Sequence, residues 1–263
     1  MTTKHKIVSG FALMVLLSVV IAFIGYSSLQ NSLRLMGSYQ RVSGFDVRMS
    51  DLEKEIYSTV YTLERFMSSR DFAFNDRAQA SVERALEQVR AGTGMVTAEE
   101  NRLALEQAGS ALQHDLELLK NIRTNTVAAY AQYTDISLPN AEAMVKVLRT
   151  VYTTSRRTGN VEALFYASQT LENMLAAGVS MARYAEGRDT EHAKLAAASL
   201  KNVARSLDGM RSVMTSEAGV RDFKMLTEAF ANVQSGFDHL VALTNAADKD
   251  ITELRAQLTE LLA

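Results

Sequence analysis

The sequence predicts an all-α protein, and three observations carry that reading. The 263 residues include one proline and 13 glycines, too few turn residues for a sandwich, a barrel or an α/β fold, each of which must reverse the chain many times. Hydrophobic residues make up 47% and charged residues 22%, enough apolar side chain to bury a core, with no low-complexity run between them. Near the C-terminus Phe223, Leu226, Phe230, Val233, Phe237, Leu240, Thr244, Ala247, Ile251, Leu254, Leu258 and Leu261 alternate steps of three and four, a heptad seam. The chain has no cysteine, which removes disulfide scaffolds, thiolate nucleophiles and zinc–cysteine sites. A formal net charge of −2 argues against a nucleic-acid partner, which calls for a concentrated basic face.

Taken in order, Lys4, His5 and Lys6 precede an uncharged apolar run from Ile7 to Tyr26. At ~1.5 Å per residue the run matches the ~30 Å hydrocarbon core of a bilayer. It is longer than the apolar region of a signal peptide, and no A-x-A pattern follows it. The next charge is Arg34, so the positive-inside rule leaves residues 1–6 as a cytoplasmic tip and 7–26 as a transmembrane helix. Residues 27–263 are then expected in the periplasm, anchored in a bacterial inner membrane.

Leu29, Leu33, Met36, Val42, Phe45, Met49, Leu52, Ile56, Val60, Leu63 and Met67 follow helical spacing, and the next clear break is Gly92-Thr93-Gly94. One helix from about Ser28 to Val89, roughly 90 Å long, is expected. Thr97 with Glu100 forms a capping box that opens a helix to about Ile122. Arg123 to Ile136 continues it after a break, and Ser137-Leu138-Pro139-Asn140 reads as the only proline turn. Ala141 to Thr158 returns, Gly159-Asn160 interrupts, and Val161 to Glu186 runs to Gly187-Arg188-Asp189, whose aspartate can cap the final helix. The stripe Ala196, Leu200, Val203, Leu207, Met210 and Met214 shifts phase near Gly219, as expected of one helix from Asp189 to Leu262 that turns different faces to two cores. The predicted fold is therefore two stacked four-helix bundle modules sharing two very long helices, the first and the last, with six helices in the exported part and one N-terminal transmembrane helix.

This architecture, together with stretches such as MSDLEKEIYSTVYTLERFMSSRDF (Met49 to Phe72), resembles the helical bimodular sensor domain of bacterial methyl-accepting chemotaxis proteins and of some sensor kinases. The likeness covers Ser28 to Ala263. In that family a second membrane helix, a HAMP linker and a signalling coiled coil follow the last helix; this sequence ends at Ala263 and is expected to be a fragment. The resemblance implies a non-enzymatic chemoreceptor sensor that binds a small organic anion, such as a dicarboxylate or acetate, between helices and transmits a helix displacement across the membrane. The sensor region of a histidine kinase, or an anchored bundle that binds a partner protein, is the alternative.

Arginine suits a carboxylate because its planar fork donates two parallel hydrogen bonds. Arg41 and Arg48 lie one heptad apart on the first helix, and rise arithmetic puts His239 on the last helix at a similar height. Thr244 holds a seam position, Arg149 lies on the ascending short helix, and Tyr130 or Tyr133 can supply a hydroxyl. These form the lower-module candidates; the alternative for each is a solvated or snorkelling side chain. In the upper module, continuing the stripe beyond Leu63 and Met67 leads to Arg70 and Phe74, a charge where an apolar residue is expected. Anion binding or pairing with Asp71 or Glu172 would explain it. Tyr184 joins it, with Arg183 and His114 as weaker additions. Dicarboxylate-binding members of the family carry closely spaced arginines on the first long helix. Arg41, Arg48, Arg65 and Arg70 do not reproduce that spacing, so the ligand is expected to differ from C4-dicarboxylates.

Other chemistry is not indicated. Four scattered histidines and a lone Asp189-x-x-His192 do not make a metal or haem site. The chain has no G-x-x-x-x-G-K-[ST] and no G-x-G-x-x-G loop to cradle phosphates. A homodimer is expected, paired through Leu29, Leu33 and Met36; the alternative is that this seam packs on the helix leading to a second membrane segment.

Overall fold

The computed structural model describes residues 42–96 and 98–262, together with Ser27, Gln30 and Met36. Among the described residues the chain is helical, with no strand. Helix α1 covers 42–69 and ends sooner than its apolar spacing predicts. Arg70 takes the left-handed conformation at φ 57° and its N–H donates to the Phe66 carbonyl at 2.7 Å. Asp71 then caps α2 (Phe72–Thr93), accepting from the Ala73 N–H at 2.9 Å. An aspartate gains more as an N-cap than inside a helix, and the Phe66 and Phe72 rings, 5.8 Å apart, clasp the turn. The expected unbroken helix from Ser28 to Val89 is therefore a hairpin.

The opposite correction applies further on. Helix α3 (Glu99–Ala131) passes through a π-helical segment, Gln132–Ser137, directly into α4 (Leu138–Thr158). No break occurs at Ile122, which is fully buried, and Pro139 makes no turn. Proline inside an α-helix lacks an N–H and clashes with the carbonyl four residues back. The π turn lets the Leu138 N–H reach the Tyr133 carbonyl five residues back, so the proline enters as the first turn of a new α segment. The result is a rod from Glu99 to Thr158, about 90 Å long at ~1.5 Å per residue. Its start is capped without a side-chain hydrogen bond from Ala98; Thr97 lies outside the described residues.

Gly159 at φ 72° ends α4, and Asn160 caps α5 (Val161–Gly187) through the Ala163 N–H at 3.0 Å. Arg188 repeats the left-handed turn at φ 56°. Asp189 caps α6 (Thr190–Val213) by accepting from Glu191 N–H at 2.9 Å, as the sequence predicts. The shift of phase near Gly219 marks a chain reversal rather than a rotated face. Helix α6 stops at Val213, and Ser216 caps α7 (Glu217–Leu261), its Oγ accepting from the Gly219 N–H at 3.1 Å.

Two hydrophobic clusters result. The first joins α1, α2, α3 and the C-terminal part of α7, with Leu63, Phe66, Leu112, Leu119, Ile122 and Leu254 at its centre. The second joins α4, α5, α6 and the N-terminal half of α7, around Met144, Met174, Met181, Met210, Leu226 and Phe237. Only the α3–α4 rod and α7 contribute to both. Each remaining pair of helices is a hairpin: α1 with α2 on the first cluster, α5 with α6 on the second.

The inner-membrane localisation is corrected. No helix among the described residues is long and apolar enough to cross a membrane, and the run 7–26 on which the anchor rested lies outside them. Leu29 and Leu33 of the expected dimer contact also lie outside; Met36 is helical and exposed.

Candidate functional site

The tips of the two hairpins meet where the clusters adjoin, and each tip carries the dipeptide Arg-Asp. In both, the aspartate caps the outgoing helix and the arginine occupies the left-handed region, unusual for a non-glycine residue. Arg188 is fully engaged. Its Nη1 donates to Asp248 Oδ1 of α7 at 2.7 Å and its Nη2 to Thr126 Oγ1 of α3 at 2.6 Å, and its side chain is only 7% exposed. It ties the α5–α6 tip to both long helices.

Arg70 is not engaged. It makes no ion pair among the described residues, and its Nη1 is buried with no hydrogen-bond partner. Burial holds its guanidinium below the ordinary arginine range, the neighbouring Arg188 cation lowers it further, and Asp248 partly offsets both. Two guanidinium groups thus share one carboxylate. A buried charge without a partner is expensive, and its natural complement is an anionic oxygen.

There is room for one. A cavity of about 520 Å³ is lined by Arg70, Arg188, Thr126, Tyr130, Glu186 and Thr244, with apolar wall from Phe72, Val127 and Leu240. Behind Thr244, Tyr184 is 2% exposed and edge-on to Phe237 with centroids 6.5 Å apart. Burial pushes the Tyr184 phenol up, opposed by the neighbouring Thr244 side chain; Tyr184 itself does not line the cavity.

Of the residues expected from sequence, Arg70, Thr244 and Tyr130 line this cavity and Tyr184 lies behind it, although the predicted split into modules separated Thr244 and Tyr130 from the other two. The remaining candidates fall elsewhere. Arg41 lies outside the described residues. Arg48 is half-buried and donates to Gln88 Oε1 at 2.8 Å, joining α1 to α2. The ion pair of Arg255 with Glu64 fixes the antiparallel register of α7 on α1, which sets Arg48 beyond the C-terminal end of α7. His239 is then roughly 50 Å away along the bundle at ~1.5 Å per residue; it is exposed and reaches only Ser235, at 3.5 Å. Arg149 and Tyr133 line a separate, mostly apolar groove of about 750 Å³ between α4 and α5. Arg183 is exposed, and His114 pairs with Glu253 at 2.9 Å. Asp71 caps α2 and Glu172 is exposed on α5, and neither forms an ion pair with Arg70 among the described residues.

Sequence reasoning missed Arg188, Asp248, Thr126 and Glu186. The signal for Arg188 was its dipeptide: Ser69-Arg70-Asp71 and Gly187-Arg188-Asp189 are the same device at two turns. Among the described residues no group of His, Cys, Asp and Glu side chains has a metal-holding arrangement. No protein-family model matches the chain, and no curated protein sequence matches it.

Proposed function

We propose that the chain is the sensor region of a chemoreceptor-like signalling protein, built as two stacked four-helix modules on two shared long helices, and that it acts by binding a small organic anion rather than by catalysis. The observation that carries this reading is the half-buried Arg70, whose buried Nη1 has no hydrogen-bond partner, lining a cavity between the two hairpin tips. A carboxylate there accepts hydrogen bonds from Arg70 and relieves its repulsion with Arg188, each charged hydrogen bond being worth about 1.5–3 kcal/mol where water is excluded.

The same arrangement offers a route for a signal. Arg188 is already tied to α3 and α7, so an anion that draws Arg70 toward it biases how both hairpins sit on the long helices. Helix shifts of about 1–2 Å are a known scale for such switching. The ligand must favour one packing, and a difference of about 1.4 kcal/mol changes the equilibrium tenfold. Chemoreceptor and histidine-kinase outputs are equally compatible with this sensor. A bundle that binds a partner protein is the second reading, supported by the apolar α4–α5 groove, where Leu175 and Val179 are more than half exposed.

A thermal-shift screen of the full chain against organic acids tests the first reading. A ligand at about 100 times its Kd stabilises by about 2.7 kcal/mol, a rise of roughly 5–10 °C in a chain of this size. Arg70→Gln is expected to abolish the shift. Absence of any shift across a broad carboxylate library contradicts the reading.

A further inference from the structure

Resting on that anion-site reading, the geometry points to a zwitterion as the ligand of the junction cavity: an amino acid with a free carboxylate, a free ammonium group and an apolar side chain. The first argument is donor capacity. Arg188 is held by Asp248 and Thr126 through both terminal nitrogens, whereas Arg70 Nη1 is, among the described residues, the one buried arginine nitrogen with no hydrogen-bond partner. One carboxylate is matched by Arg70, and a second one meets a guanidinium already fixed to Asp248 and Thr126.

The second argument is the acid on the same wall. Glu186 lines the cavity and makes no ion pair or hydrogen bond among the described residues. It sits in the last turn of α5, where the carbonyl ends of the helix carry partial negative charge and favour a cation. A second ligand carboxylate is repelled there, whereas an ammonium group is attracted by both Glu186 and the helix terminus. Phe72, Val127 and Leu240 supply the apolar wall on which a side chain can lie, and complementary polar groups at opposite ends of a mostly apolar pocket are what orient a small ligand.

The test uses the full chain and calorimetric titration. The proteinogenic amino acids are screened beside simple mono- and dicarboxylates, and the tightest amino acid is compared with its deaminated and decarboxylated analogues. Each analogue is expected to bind about tenfold or more weakly, one charged contact being worth about that factor. Glu186→Gln, an exposed position that leaves folding intact, should weaken the amino acid about tenfold and leave the deaminated acid unchanged. Arg70→Gln should abolish binding of both, with circular dichroism verifying that it folds. If plain carboxylates bind as tightly as the amino acid and Glu186→Gln changes nothing, the zwitterion inference fails while the anion site stands. If neither class binds, and Arg70→Gln is indistinguishable from the parent, the anion-site reading fails with it.

Discussion

Arg70 and Arg188 share a backbone conformation and opposite energetics. Arg188 is repaid by Asp248 and Thr126, so Arg188→Ala strips a mostly buried pair and should destabilise the chain by about 2–4 kcal/mol in urea unfolding. Arg70 has no partner and a left-handed backbone that glycine adopts freely. Arg70→Gly is therefore expected to raise the stability of the ligand-free chain, by about 1 kcal/mol from the backbone alone, while eliminating ligand binding; a loss of stability would show that Arg70 is structural. Asp115 supplies a pH prediction. It is wholly buried on α3, neither carboxylate oxygen has a hydrogen-bond partner, and burial pushes it up to about 7, opposed by the nearby His114. The folded chain then keeps a proton that the unfolded chain has lost above about pH 4, so stability falls as pH rises from about 4 to 7 and stays lower beyond. Asp115→Asn should be more stable than the parent by on the order of 4 kcal/mol at pH 8, with a gap that narrows as pH falls toward 4. The His114–Glu253 pair cancels to first order in that difference; a gap independent of pH refutes the burial argument. At this scale the sequence marked Arg70 for a sound reason, a charge in an apolar stripe, but not that the stripe itself stops there. Asp115 carried the same signal, since it sits in the stripe Leu105, Ala108, Leu112, Leu119 and Ile122, and it was overlooked.

The long elements were legible where a heptad seam runs on, as along α7 from Phe223 to Leu261. They were misread where punctuation has two meanings. Serine, arginine and aspartate after Met67 suit an exposed helix as well as a turn, and Pro139 ordinarily ends a helix. The π segment that absorbs Pro139 depends on a close approach to α7. A Cβ at Gly236 would lie 2.5 Å from Ser137 Oγ, nearer than real contacts allow, and 3.3 Å from the Gln132 carbonyl oxygen, a tight contact. Gly236→Val should therefore push the two long helices apart at a cost of about 1–3 kcal/mol. Gly236→Ala is a milder intrusion that helix propensity offsets by up to about 1 kcal/mol, and combining it with Ser137→Gly should recover most of its remaining loss. Chemical denaturation of the single and double variants reads the coupling; strictly additive effects would mean that the two positions do not press on one another.

Across the whole molecule, two clusters on two shared rods follow from where the chain reverses rather than from composition. The phase shift near Gly219 was a misleading sign, because the stripes on both sides of it pack in the second cluster. A tall bundle with more than one core was readable from the sum of helix lengths. Which helices are shared was not, because the α1–α2 turn and the straight passage through Pro139 exchange the roles of the first and second long segments. That exchange brings the two Arg-Asp tips together, and with them the cavity that the proposed function rests on. Hydrogen–deuterium exchange of the full chain, with and without the tightest carboxylate-bearing ligand, tests that claim most directly. Binding at the junction predicts joint protection of residues 68–72, 185–190 and the α7 turn around Thr244 and Asp248, absent in Arg70→Gln. Protection confined to the α4–α5 groove around Arg149 and Val179, or protection that survives Arg70→Gln, would contradict it.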